Sequence, residues 1–216
     1  MLLVLDLDGT LVDRAAAFSC WAAAEVAAAG GSPRDRDRLL RADAHGLAPR
    51  EQVLPVLREV LRSDAPDADL LALLLMGHVD RIALFPGVDE QLRRARALGA
   101  RIIVLTNGPS AQQRAKIART GLDVLVDAVV ISEEAGCAKP DPAIFARALQ
   151  GGRVGEESWM LGDSPHADIG GGRAAGLRTG WVSHGRSWER SDGAPPDLAA
   201  PGVTELLARL LAVRRG

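Results

Sequence analysis

The sequence predicts an α/β protein: a doubly wound, mostly parallel sheet with an α-helical module inserted after its first strand. Three observations carry this prediction. Short apolar runs without polar alternation recur through residues 1–13 and 85–216, as strands buried on both faces require. Helical patterns separate those runs, and right-handed crossovers between parallel strands put such helices on both sides of a sheet. Residues 14–84 break the rhythm, with apolar spacing of helical period and no convincing strand.

Taken in order, Leu2–Leu7 is the first strand. Within the insertion, Phe18, Trp21, Ala22 and Val26 share one helical face, as do Leu70, Leu71, Leu74 and Leu75. Further helices fit Arg34–Ala44 and Arg50–Leu61, the second despite the awkward Pro55. Strands resume at Arg101–Thr106, Ala128–Ser132, Ser158–Gly162 and Leu177–Val182. Helices are expected over 88–98, 110–120, 141–150 and 166–176, with a last one over 203–213. Gly99 and Gly121 stand where a helix end favours a left-handed residue, and Ser110 suits an N-cap. The Gly/Pro/Ser-rich stretch Gly185–Gly202 reads as a surface loop with a short edge strand around Leu198. The expected organisation is a core of residues 1–13 and 85–216 and a helical cap of residues 14–84, hinged at Thr10–Asp13 and Ala83–Gly87.

Hydrophobic residues make up 47% of the 216 but aromatics only 3%, and Tyr is absent, so Leu, Val and Ala must fill the core. The formal charge of −2 and the lack of a basic block argue against nucleic-acid binding. Cys20 and Cys137 lie far apart and suggest reduced thiols rather than a disulfide framework. The apolar run at Met1–Leu5 is too short for a signal peptide, and Leu70–Met76 is too short to span a bilayer. A cytoplasmic protein that keeps clear of membranes is expected, and a monomer, since no heptad seam appears. Of the 26 basic residues only Lys116 and Lys139 are lysines, which makes each one informative.

The candidate site residues cluster at strand ends, where open parallel sheets bind their ligands. Strand one ends in Asp6-Leu7-Asp8-Gly9-Thr10. Strand alternation would put Asp6 and Asp8 on one side. Two carboxylates so close repel unless a cation accompanies them, an arrangement that suits a metal site with a nucleophile and a proton carrier. The second core strand runs into Thr106-Asn107-Gly108, the third is followed by Ala138-Lys139-Pro140-Asp141-Pro142, and the fourth by Gly162-Asp163-Ser164 with Asp168 beyond.

These four segments, in this order, resemble the motifs of the haloacid dehalogenase-like hydrolase superfamily, and the likeness covers essentially the whole chain. The first motif, Asp-x-Asp-Gly-Thr, stands as Asp6 to Thr10; the second is Thr106; the third is Lys139; the fourth is Gly162-Asp163-Ser164 with Asp168. The insertion resembles the family's helical cap of the first type, and the core its Rossmann-like sheet. The resemblance implies that Asp6 attacks phosphorus to form an aspartyl-phosphate, while Asp8 serves as general acid and base. It implies Mg²⁺ held by the Asp6 carboxylate, the Asp8 backbone carbonyl and Asp163, with Asp168 fixing Lys139 or a metal-bound water. Lys139 would balance charge, and Thr106 with backbone amides near Asn107 and Gly108 would bind phosphate.

Dehalogenases of this superfamily lack an aspartate where Asp8 stands, so the resemblance points to phosphoryl transfer. Phosphonoacetaldehyde hydrolases use a cap lysine, and residues 14–84 contain none. The implied activity is a Mg²⁺-dependent phosphatase acting on a small phosphorylated metabolite. The alternatives are a β-phosphoglucomutase-like phosphoryl transferase and a non-catalytic phosphate-binding protein. The segment His45 to Glu51 loosely resembles the substrate loop of such mutases, with Arg50 one residue off that pattern as a candidate substrate contact. Trp21, Trp159, Trp181 and Trp188 read as packing residues, with facing the cleft from the cap as the alternative for Trp21.

Overall fold

The structure, a computed structural model, describes residues 1–150, 155 and 157–212. It divides into two compact units, one of Met1–Val12 with Leu84–Gly216 and one of Asp13–Ala83.

The strands are β1 (Leu2–Leu5), β2 (Arg101–Thr106), β3 (Ala128–Ile131), β4 (Ser158–Gly162), β5 (Arg178–Val182) and β6 (Leu198–Ala200). Their order is β3-β2-β1-β4-β5-β6, and every pairing is parallel. The helices of the helical unit are α1 (Arg14–Ala28), α2 (Pro33–Asp43), α3 (Arg50–Leu61) and α4 (Asp67–Met76). The first unit carries α5 (Val88–Ala97), α6 (Ser110–Thr120), α7 (Ser132–Ala135), α8 (Pro142–Ala148), α9 (Gly171–Ala174) and α10 (Val203–Ala212). Residue 213, the expected end of the last helix, lies outside the described residues.

Both sheet faces are apolar. Leu2, Val4, Ile103, Leu105 and Met160 pack against Ile144, Phe145 and Ala148 of α8. On the opposite face Leu3, Leu5, Ile102 and Val104 are fully buried, and Gly180 leaves the room that Leu206 of α10 and Leu161 occupy. Each such buried Leu or Val stabilises the fold by about 1.5–3 kcal/mol relative to exposure. The chain order reverses between β1 and β4, so β2 and β4 flank β1 and the loops beyond their ends part there. That divergence opens a crevice at the carboxyl ends.

Local chemistry explains most boundaries. Ser32 and Asp35 form a capping box around Pro33 at the start of α2. Asp141 caps α8 ahead of Pro142, and Gly121 closes α6 at φ 67°. Ser110 does not cap α6: Pro109 holds that position, and the Ser110 amide donates to Glu133 Oε2 at 2.7 Å instead. The helix expected over 166–176 is a π-helical turn, Pro165–Gly170, followed by the single turn α9. Its cap is Ser164, which accepts from the Ala167 amide. Pro55 sits inside α3, which continues through it.

The helical unit has its own core, built from Phe18, Trp21, Val26, Leu39, Val53, Leu57, Leu70 and Leu74 among others. Trp21 is fully buried there, its ring centroid 5.1 Å from that of Phe18. It packs rather than lines a cleft. No helix among the described residues is long and apolar enough to cross a membrane.

Candidate active site

Strand β1 stops at Leu5, so Asp6 and Asp8 do not share one face of a continuing strand as expected. Only the Asp6 amide extends the ladder, donating to the Leu161 carbonyl at 2.9 Å. The chain then turns at Gly9, whose φ of 78° puts it in the left-handed region and whose missing Cβ leaves space for the Asp163 carboxylate. Turn geometry, not strand alternation, orders the two carboxylates.

Each of them meets one of the two lysines. Lys139 Nζ donates to Asp6 Oδ1 at 2.6 Å and to Asp168 Oδ1 at 2.7 Å. Asp168 Oδ2 in turn accepts from the Ser164 amide at 2.9 Å, a contact that accounts for the π-turn, which folds Asp168 back toward β4. Lys116 Nζ donates to both oxygens of Asp8, at 2.9 and 2.7 Å. Asp6, Lys139, Lys116 and Asp168 are all buried.

Asp6, Asp163 and Asp168 each offer an oxygen within 4.8 Å of one another. Burial pushes the Asp6 carboxyl up to about 8; Lys139 opposes this, while Asp168 and Asp163 add to it. Burial, then Asp168, raises Asp163 to about 6 against the pull of Arg186, His184 and Lys139. Burial works against the Lys139 charge too, yet Asp168 and Asp6 outweigh it and hold the ammonium above its usual range. The lysine therefore keeps its proton, and three carboxylates share one close ammonium. A hard divalent cation fits that all-oxygen donor set and would relieve its excess negative charge.

Thr106, buried at the end of β2, meets Gln113 of α6, whose Nε2 donates to its Oγ1 at 2.6 Å. The same nitrogen lies 3.0 Å from Asp8 Oδ2 and 3.2 Å from the Asn107 carbonyl, so its two hydrogens are shared among three acceptors. The Asn107 side chain, on an exposed residue, bonds the Lys139 backbone. The Gly108 amide donates to Ser132 Oγ at 2.9 Å, which commits one of the amides expected to serve phosphate.

Sequence reasoning missed four site neighbours. Gln113 and Lys116 lie on α6, outside any strand-end loop; their signal was two polar residues at i and i+3 on the helix face that carries buried Ile117. His184 and Arg186 follow β5. The His184 Nε2 donates to the Gly9 carbonyl at 2.6 Å, and Arg186 donates to the Asp163 carbonyl at 2.7 Å while lying 3.7 Å from its carboxylate.

Arg50 belongs to the helical unit. Its guanidinium donates to Asp43 Oδ1 at 3.1 Å and to the Gly46 carbonyl at 3.1 Å. Buried Asp43 also takes a two-pronged bond from Arg14, both contacts 2.8 Å. The loop between α2 and α3 holds Ala44, His45 and Gly46 all at positive φ, with Gly46 seated against the Arg14 guanidinium.

A β3-β2-β1-β4-β5-β6 sheet with a buried lysine and an aspartate cluster that could hold a metal ion defines a doubly wound α/β protein. A haloacid dehalogenase-like hydrolase family model matches residues 1–176. The chain belongs to that family. It is 33% identical over 193 residues to a phosphoglycolate phosphatase of Cereibacter sphaeroides, covering 84% of each chain. It is 39% identical over 127 residues to a phosphoserine phosphatase of Thermus thermophilus, covering 58% of this chain and 51% of that one. The chain spans about half the length of the first curated relatives it matches. Among solved structures, a putative β-phosphoglucomutase from Thermotoga maritima superposes with a TM-score of 0.79 at 21% identity, covering 98% of this chain and 99% of that one; this likeness is one of fold.

Proposed function

We propose that this chain is a Mg²⁺-dependent phosphomonoester phosphatase that works through an aspartyl-phosphate on Asp6 and acts on a small phosphorylated metabolite. The observation that carries the reading is Lys139, whose ammonium bonds both Asp6 and Asp168 in a pocket where carboxylates outnumber it. A nucleophile meant for an anionic ester needs such neighbouring positive charge.

In the first step an Asp6 oxygen bonds to phosphorus as the ester P–O bond breaks. The electron pair leaves on the alcohol oxygen, which takes a proton from Asp8. In the second step water attacks phosphorus, gives its proton to Asp8, and the aspartyl P–O bond breaks with its pair returning to Asp6. Phosphate and alcohol are released and both aspartates are restored. Lys139 balances the phosphoryl charge. Thr106 accepts from Gln113, which leaves its own hydroxyl proton to donate to a phosphoryl oxygen.

Mg²⁺ would be held by the Asp6 and Asp163 carboxylates and the Asp8 backbone carbonyl. When bound it supplies Lewis-acid stabilisation of the phosphoryl oxygens. Asp168 has one oxygen on Lys139 and the other on the Ser164 amide, which supports a role in fixing the lysine. The phosphatase names of relatives that are 33–39% identical support the ester class. Residues 14–84 act as the cap that selects the substrate, with Arg50 as a substrate contact only if it exchanges its bonds to Asp43 and Gly46.

The test is release of inorganic phosphate from a panel of phosphomonoesters in the presence of Mg²⁺. Turnover that stops with chelator and in Asp6→Asn supports the reading. No release from any ester overturns it, and interconversion of glucose 1- and 6-phosphates would replace it with the mutase.

A further inference from the structure

Gln113 and Lys116 take no part in the bond-making steps above, yet they lie one turn apart on α6 with 0% and 1% of their surfaces exposed. Burying an ammonium is costly unless close partners offset it. Apolar side chains on this helix face would pack at no such cost. Lys116 spends its charge on Asp8, gripping both carboxylate oxygens. Gln113 reaches three points of the site with one nitrogen: Asp8 Oδ2, Thr106 Oγ1 and the Asn107 carbonyl. Gly108, at φ 145°, leaves room for it, since a Cβ there would come within 3.2 Å of the Gln113 amide carbon.

A carboxylate on a turn has rotational freedom that a proton shuttle cannot use. Three hydrogen bonds from two side chains of a rigid helix remove it. They also tie Asp8, which follows β1, to Thr106 on β2, so the proton carrier and a phosphate-binding hydroxyl keep a fixed spacing.

We propose that Gln113 and Lys116 are positioning residues that hold Asp8 on the leaving-group oxygen and lock it in register with Thr106. This rests on the phosphatase reading and adds to it two residues that act through Asp8. A group that only aims the proton donor matters most where the departing oxygen needs a proton. Alkyl phosphates need one; p-nitrophenyl phosphate, whose phenolate leaves readily, hardly does.

The experiment measures kcat and KM of wild type, Lys116→Met, Lys116→Arg, Gln113→Leu, Asp8→Asn and Asp8→Asn/Lys116→Met with an alkyl phosphate and with p-nitrophenyl phosphate. Lys116→Met is expected to lower kcat on the alkyl ester about 10- to 100-fold, a part of the full general-acid effect, with KM within about twofold. On p-nitrophenyl phosphate the loss should be several-fold smaller. Lys116→Arg should recover part of the activity, and Lys116→Met should add little to Asp8→Asn, because both act at one point. Should Lys116→Met fail to fold, Gln113→Leu, which removes no buried charge, should show the same leaving-group pattern more weakly. A loss equal for both esters, or one that multiplies fully with Asp8→Asn, overturns the assignment while leaving the phosphatase reading intact. A wild type that hydrolyses neither ester overturns both.

Discussion

Asn107 and Lys139 hold each other by reciprocal hydrogen bonds, the Asn107 Nδ2 donating to the Lys139 carbonyl at 3.0 Å and the Lys139 amide donating back to Asn107 Oδ1 at 2.9 Å. The pair joins the loop after β2 to the loop that carries the lysine, across 32 residues of chain. Neither bond touches the ammonium, yet together they set where its stem begins. Asn107→Ala should therefore lower kcat/KM about tenfold while removing no charge. The two lost bonds predict about 1–3 kcal/mol of destabilisation, read by thermal melting. Unchanged kinetics in a folded Asn107→Ala protein would show that the lysine loop holds its place without this brace.

Metal binding by the acidic cluster, as proposed above, should depend on pH. Asp163 and Asp6 are raised to about 6 and about 8, above the unfolded value near 4. Acids raised in the folded state stabilise it fully below the unfolded pKa, and that contribution is lost as pH rises through the folded values. Protein kept in chelator should accordingly melt at progressively lower temperature as pH climbs from about 4 to about 8. Mg²⁺ competes with those protons, so its melting shift should grow over the same interval. A Mg²⁺ shift that is flat or shrinking with pH would contradict the assignment of these carboxylates to the metal.

Within the helical unit, Asp43 is a buried carboxylate on two guanidiniums. Burial alone would raise it, but the Arg14 and Arg50 contacts prevail and hold it below the usual range. Its stabilising effect is present above the unfolded pKa and is lost as pH falls through the lower folded value. Asp43→Asn strips the charge from a pair whose arginine partner Arg14 is 5% exposed, and breaking such pairs costs about 3–5 kcal/mol. Denaturant melts should show that loss near pH 7 and a narrowing gap to wild type below about pH 4. A gap that stays constant down to pH 3 would mean that the ion pair contributes little.

The sheet and the four strand-end segments were legible in the sequence because burial on both faces and glycine turns leave strong local marks. Asp6, Asp163 and Asp168 could be singled out for the same reason, at or a few residues past a strand end, whereas Lys139 lies beyond α7 and stood out as one of only two lysines, set before a proline-led helix. Lys116 and Gln113 could not, because a helix face is read by apolar period, and a buried polar pair on such a face looks like surface until its partner is seen. The π-turn at Pro165–Gly170 was read as plain helix, since one of the two contacts that hold Asp168 there, the bond from Lys139, is tertiary. Arg50 was read only as a candidate ligand contact, and its bonds to Asp43 and Gly46, seven and four residues away, were not foreseen because they depend on the shape of the loop between α2 and α3.

Gly162 offers the sharpest test of how the lysine is held. It ends β4, and a Cβ placed there would run into the Asp168 carboxylate, the group that anchors Lys139 and accepts from Ser164. Gly162→Ala must push Asp168 aside, so it should overpack by about 1–3 kcal/mol and also release the ammonium from its second partner. Gly172→Ala supplies the control, because its Cβ would come within 2.6 Å of Met160 and touch no carboxylate of the site. Both variants should melt lower by similar amounts, but only Gly162→Ala should lose kcat, by about tenfold or more, and show a weakened Mg²⁺ melting shift. Equal kinetic losses in the two variants would mean that general loosening, not displacement of Asp168, governs the activity, and Asp168 would then have no particular hold on Lys139.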